Sequence, residues 1–203
     1  MTINPKNAFD HFIFTVKTGF ADCADEINYA AIEQAAQLIL DAKATKNRVH
    51  VSGIGKPGHI AGYAASVMSS TGTPTYFLHA TEAVHGSCGQ LVPGDVVIFI
   101  SNSGETSEMR VTVRAIKDNG CKLIGISGNP DSWLAGESDV HLHAGVTNEG
   151  GPLNLAPRMS ILNETLVLQA LSVVLQAHEN VTPQQYVKWH PGGALGQLRT
   201  HEQ

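Results

Sequence analysis

The chain has 203 residues, enough for one domain of generous size or at most two very small ones. Hydrophobic residues make up 42%, which supplies a full core and argues against intrinsic disorder. Lys and Arg number 13 against 18 Asp and Glu, and no basic cluster occurs, so a nucleic-acid or anionic-membrane partner is disfavoured.

Charged residues are 15% of the chain, a low share that leaves neutral surface and fits a protein burying part of itself against its own copies. Cys23, Cys88 and Cys121 are odd in number and widely spaced, which gives no disulfide framework and no Cys-x-x-Cys metal pair. The segment MTINPKNAFDHFIF lacks the basic-then-apolar order of a secretory signal. The most apolar long stretch, Leu153 to Ala177, carries Asn154, Arg158, Asn163, Glu164 and Gln169, more polar groups than a bilayer crossing tolerates. A soluble, cytoplasmic protein is the expectation.

In chain order, Phe9, Phe12, Ile13, Val16 and Phe20 recur at helical spacing, and Ile27, Ala31, Ala35, Leu38, Ile39 and Ala42 repeat the pattern. Two N-terminal helices are predicted over about residues 5–45, with Gly19 near their joint. From Arg48 the rhythm changes to short apolar runs: Val49–Ser52, Thr75–Leu78, Val96–Ser101, Leu123–Ser127 and a weaker Val140–Leu142. Helical faces lie between some of them, Ile60, Ala64, Val67 and Met68 on one and Met109, Val113 and Ile116 on another. Alternating strands and helices imply crossover connections, hence a parallel sheet covered on both faces. The unbroken run Val96–Ile100 is what a doubly buried strand requires. A loop over Val146–Leu153, a long helix and a short helix at Pro183–Val187 close the pattern. No repeat or linker is present, so one domain spans 1–203, with the αβ core at about 48–196.

Ligands of open parallel sheets bind beyond the carboxyl ends of the strands, and three loops stand out there. Ser101-Asn102-Ser103-Gly104-Glu105-Thr106 follows the most apolar strand and precedes a helix. Hydroxyls of Ser101, Ser103 and Thr106, with helix N–H groups, suit a phosphate; a capping arrangement built on Glu105 fits the same residues equally well. The loop lacks a P-loop lysine, which disfavours nucleoside triphosphates. Gly53-Ile54-Gly55-Lys56-Pro57-Gly58-His59 places Lys56 where it either meets a ligand or is an ordinary exposed lysine. In Asn148-Glu149-Gly150-Gly151-Pro152, Glu149 is either a general base fixed by a rigid turn or a carboxylate stabilised at a helix start. His85 and His190 titrate near neutrality and can pass protons, although most of the chain's 10 histidines are bystanders. His79, His85 and Cys88 match no structural zinc spacing.

The stretches GIGKPGH (53–59), STGTP (70–74), HATEAVHG (79–86), SNSGET (101–106), EGGPLNLAP (149–157) and HPGGALG (190–196), in this order, resemble the sugar isomerase (SIS) domain family and, within it, the arabinose 5-phosphate isomerases. The resemblance implies a flavodoxin-like three-layer sandwich on a five-stranded parallel sheet, usually assembled as a tetramer with active sites at subunit interfaces. It implies interconversion of D-ribulose 5-phosphate and D-arabinose 5-phosphate, feeding synthesis of the eight-carbon acid Kdo for lipopolysaccharide or capsule. No cofactor and no required metal are implied, zinc at His85 being at most inhibitory. Ser101, Ser103 and Thr106 match the phosphate loop, and Lys56, His85, Glu105, Glu149 and His190 match active-site positions, with His190 or His85 acting across a subunit boundary. On this reading Glu149 is the base, His190 the hydroxyl proton carrier and Lys56 the stabiliser of developing charge, while Glu105 orients Lys56 or a substrate hydroxyl.

The chain departs from the family pattern at Pro57, at Gly150-Gly151 in place of Ala-Cys, and at Arg158–Leu162 in place of a Ser/Thr-rich run. Common members continue into two CBS domains after the HPGGxLG motif, and the expectation here is the catalytic domain alone. A phosphosugar-sensing module without catalysis and an isomerase of another phosphosugar are the competing readings.

Overall fold

The computed structural model describes residues 3–192. Its order is α1 (Pro5–Glu26), α2 (Tyr29–Ala44), β1 (Val49–Gly53), α3 (Lys56–Ser70), β2 (Thr75–His79), α4 (Ala80–Ala83), a 3-10 turn (Ser87–Gln90), β3 (Val96–Ile100), α5 (Ser107–Asp118), β4 (Lys122–Ser127), α6 (Trp133–Glu137), β5 (Val140–His143), α7 (Met159–Glu179) and α8 (Pro183–Trp189). The strands pair in the order β2-β1-β3-β4-β5, all parallel. The order reverses between β1 and β3, so their carboxyl ends open the crevice that such sheets use for ligands.

Alternation along β3 shows why both faces are covered. Val96, Ile98 and Ile100 enter a core with α2, α3 and α7, while Val97 and Phe99 enter a second core with α4, α5 and α6. All five are fully buried, as a strand between two helical layers demands. Met109, Val113 and Ile116 of α5 and Ala64 and Met68 of α3 are buried as their spacing predicts.

The N-terminal region differs from expectation. Gly19 lies inside α1, which runs on to Glu26; the joint falls at Asn28, whose side chain accepts the N–H groups of Ala30 and Ala31 and caps α2. A capping Asn terminates a helix pair more forcefully than an interior glycine, which costs only about 1 kcal/mol. The proposed apolar face of α1 is split: Phe12, Ile13 and Val16 are half-buried, whereas Phe9 and Phe20 are exposed.

The long helix also starts later than expected, at Met159 and not near Leu153. Pro157 disfavours helix at Ala156 before it, and Asn154 takes a left-handed conformation. By length and composition α7 could cross a membrane; half of that stretch is buried in this fold, through Val167, Leu168, Leu171 and Leu175.

Candidate active site

The carboxyl edge of the sheet gathers the loops singled out above. In the serine loop, Ser101 is buried and its Oγ accepts the Gly104 N–H at 3.3 Å, 3.5 Å from Thr106 Oγ1. The Ser103 hydroxyl accepts the Glu105 N–H. Gly104 takes φ +65°, and its carbonyl accepts the Leu134 N–H. Thr106 precedes α5 without any side-chain cap bond. The start of α5, with its partial positive charge, carries the neighbouring Ser101 and Thr106 hydroxyls. Glu108 competes there: its own N–H and the Ser107 hydroxyl hold its carboxyl below the usual range.

Glu105 does not turn to Lys56. Its carboxylate accepts the Trp133 N–H at 2.8 Å and pairs with Arg110, in that order of effect, and both hold its pKa below the ordinary value. Arg110 in turn lies 5.3 Å from the Trp133 ring centroid. Of the two orienting roles expected of Glu105, toward Lys56 or toward a substrate hydroxyl, the first is not made within this protomer, where Glu105 ties the serine loop to α6.

Lys56 opens α3, exposed and without a hydrogen bond or ion pair among the described residues. Pro57, the departure from the pattern, sits in the first helical turn, where a missing N–H costs nothing. Beside this loop a cleft of about 400 Å³ is lined by Gly55, His59, Phe77, His79 and Thr81. His79 spends Nδ1 capping α4 through the Glu82 N–H. His85 follows in an exposed turn. Among the described residues no three His, Cys, Asp or Glu side chains converge as a metal-holding group.

Glu149 is buried, and its carboxylate is stabilised at a helix start, one of the two readings its sequence context allowed. It does not precede α7 directly, yet its Oε2 accepts the Arg158 N–H at 2.6 Å and the Ser160 N–H at 3.1 Å. The carboxylate thus caps α7 from ten residues upstream, and Oε1 has no hydrogen-bond partner among the described residues. The departures nearby belong together. A Cβ on Gly151 would lie 2.3 Å from Arg158 Nη1, and a Cβ on Gly150, at φ +75°, would press on Phe12 and Thr15 of α1. The glycines make room for the guanidinium and for the first helix.

These loops adjoin. Gly128 N–H donates to the Asn102 carbonyl at 2.8 Å, and Asn163 Nδ2 donates to the Gly145 carbonyl at 2.7 Å. Helices α3 and α7 run in the same direction, since Tyr63 meets Gln169 and Thr71 meets Ser172. Their starting ends, one carrying Lys56 and the other held by Glu149, therefore face the same edge of the sheet.

His190 is elsewhere. It ends α8, stacked on Tyr186 at 4.0 Å between ring centroids, with Nδ1 2.7 Å from the Tyr186 carbonyl. Its neighbour Trp189 lines a cleft with Gly72, Pro74, Thr75 and Tyr76, at the amino end of β2 and so at the opposite edge of the sheet. Gly193–Gly196 of the same motif lie outside the described residues.

Two features escaped the sequence reading. One is the Glu105–Trp133–Arg110 cluster, for which no spacing signal exists. The other is Glu164, fully buried on α7, with both carboxyl oxygens unpartnered. The isolated acid at i+4 from Ser160, in an apolar stretch, is the signal that could have revealed it.

The sequence pattern that defines the SIS domain matches residues 44–174. The chain belongs to the SIS domain family. This SIS domain is 38% identical over 198 residues to the arabinose 5-phosphate isomerase KdsD of Francisella tularensis, covering 97% of this chain and 59% of that protein. Against KdsD of Escherichia coli K12 the identity is 44% over 151 residues, 74% of this chain and 46% of the other. The chain thus spans about half the length of the curated relatives it matches. Among solved structures it resembles the E. coli CFT073 protein c3406, determined in complex with A5P. There the TM-score is 0.81 at 33% identity, over 93% of this chain and 100% of that one. The five-stranded parallel sheet with helices on both sides is the architecture that this SIS domain shares with its structural neighbours.

Proposed function

We propose that this SIS domain is an aldose–ketose isomerase acting on D-ribulose 5-phosphate and D-arabinose 5-phosphate. The observation that carries the reading is that the chain covers the whole of a relative solved with A5P, at 33% identity. The carboxyl edge supports it: a hydroxyl-lined, uncapped helix start suits a dianionic phosphate, and a fixed carboxylate and an unpaired lysine lie along the same edge.

The reaction moves a proton between C1 and C2 through a cis-enediol. Glu149 takes the proton from one carbon and returns it to the other on the same face. The carbonyl oxygen gains a proton as the adjacent hydroxyl loses one, and His190 carries that exchange. Lys56 stabilises the enediolate charge. The phosphate is a remote handle that holds the five-carbon chain in register. The product would feed Kdo synthesis.

The position of His190 at the far edge of its own sheet supports a homotetramer whose sites borrow this side chain from a neighbouring copy. Two measurements test the reading. Incubation with ribulose 5-phosphate should yield arabinose 5-phosphate by NMR; binding without turnover would instead indicate a sensor, and turnover of a heptose or hexulose phosphate alone another isomerase. Glu149→Gln and His190→Ala chains, each strongly impaired, should regain turnover when unfolded and reassembled together, since roughly a quarter of randomly formed sites would be intact. Absence of recovery, with assembly verified, would place His190 outside its neighbour's site.

A further inference from the structure

Ser160 and Glu164 stand four residues apart on α7 and so share one face, one turn apart. Ser160 N–H holds the Glu149 carboxylate. Ser160 Oγ and both Glu164 carboxyl oxygens are buried without a partner among the described residues, as is Asn163 Oδ1 beside them, whereas buried polar groups of native folds are as a rule paired. Ionised carboxylates are not left unpaired in such places, because removing the charge from water costs more than taking up a proton. Burial, followed by the nearby Glu149 charge, pushes the Glu164 carboxyl up to about 8.

Other charges do not relieve it: the Arg158 guanidinium, at the start of the same helix, lies against Gly151, and burial and Glu149 are what shift Glu164. Lys56 and His59 begin α3, His11 and Asp22 face the β5–α7 loop from α1, and Glu26 and His143 border Val167. On α2, Glu33 and Lys43 are engaged with His178 and Glu179, about four turns away along α7. Glu149 is the charge that acts on Glu164.

We propose that Glu164 is a positioning residue for Glu149: a neutral carboxylic acid behind the start of α7 that directs its proton toward the Glu149 carboxylate and keeps a second negative charge away while the enediolate forms. The proposal rests on the isomerase reading. It makes the site dependent on a proton that never reaches the substrate, and the loss of that proton on the alkaline side places two like charges in one buried corner.

The test compares wild type, Glu164→Gln and Glu164→Leu in the full chain. Glu164→Gln keeps shape and a donor at every pH; it should retain most of kcat and lack the alkaline fall, centred near pH 8, that is expected of wild type. Glu164→Leu should lower kcat about tenfold, with KM held within about twofold, because only the orientation of the base is disturbed. A measurement without substrate accompanies these. The folded-state pKa lies above the ordinary 4.5, so the stability that Glu164 contributes is present below pH 4.5 and lost as pH rises toward 8. The melting temperature of Glu164→Gln should therefore gain on wild type across that window. Wild-type kcat and an unchanged alkaline limb in both variants would overturn the positioning role alone. Failure of wild type to isomerise pentose phosphates would overturn the isomerase reading and this role with it, and a flat stability difference would show that Glu164 is not held neutral.

Discussion

Glu149→Gln should leave a folded chain that binds the sugar phosphate and turns it over about 10²–10⁴-fold more slowly, the usual loss for a positioned base. The amide oxygen still accepts the Arg158 and Ser160 N–H groups, so the start of α7 survives, while the proton acceptor is gone. Turnover by NMR, arabinose 5-phosphate binding by calorimetry and a thermal melt separate these effects. Near-normal turnover would remove Glu149 from the role of base and reduce it to the cap of a helix.

Gly104→Ala should weaken phosphate recognition through the backbone. An alanine at φ +65° costs about 1–2 kcal/mol. Its methyl would also lie 2.4 Å from Ser132 Oγ and 2.5 Å from Ser132 Cβ. Ser132 cannot yield cheaply: it is buried, its Oγ lies 3.0 Å from Ser127 Oγ and accepts the Ala135 N–H, and Ser127 is bound to His141. Overpacking of this kind costs about 1–3 kcal/mol more. The loop escapes by moving, which breaks the Gly104 N–H bond to Ser101 and scatters the hydroxyls. A KM raised by at least about tenfold, with a lowered melting temperature, is the expected result. A wild-type KM would show that this turn does not grip the phosphate.

The strands were legible because each is a short apolar run between Gly, Pro and Asn, and β3 in particular admits no other reading once five consecutive side chains must all be buried. Helix boundaries were less so. Gly19 looked like a break because glycine weakens helices everywhere, but the decisive signal was the capping geometry of Asn28, which depends on where the second helix must enter the core. At the site, the serine loop and Lys56 were placed correctly at the carboxyl edge because strand–loop–helix order fixes them there. Glu149 was read as adjacent to the long helix; its carboxylate does reach that helix, across a turn whose length depends on Pro157 and Asn154. Glu105 misled because its partners, Trp133 and Arg110, lie 28 and 5 residues away, and which partner a flexible carboxylate chooses is a tertiary fact. His190 offered no hint of which edge of its own sheet it would occupy. Glu164 was counted only as one polar group among several in an apolar stretch, since nothing in spacing tells a solvated acid from one sealed beneath a helix start.

The guanidinium of Arg158 lying against Gly151 makes the two glycines of this turn unequal. A Cβ at 151 would meet the far end of a flexible arginine, so the arginine can swing aside and a small residue there costs the seating of the guanidinium and not the fold. Position 150 is stricter: at φ +75° a side chain is strained whatever the space, and a Cβ would also press on Phe12 and Thr15. The first glycine is held by backbone conformation, the second only by what stands at 158.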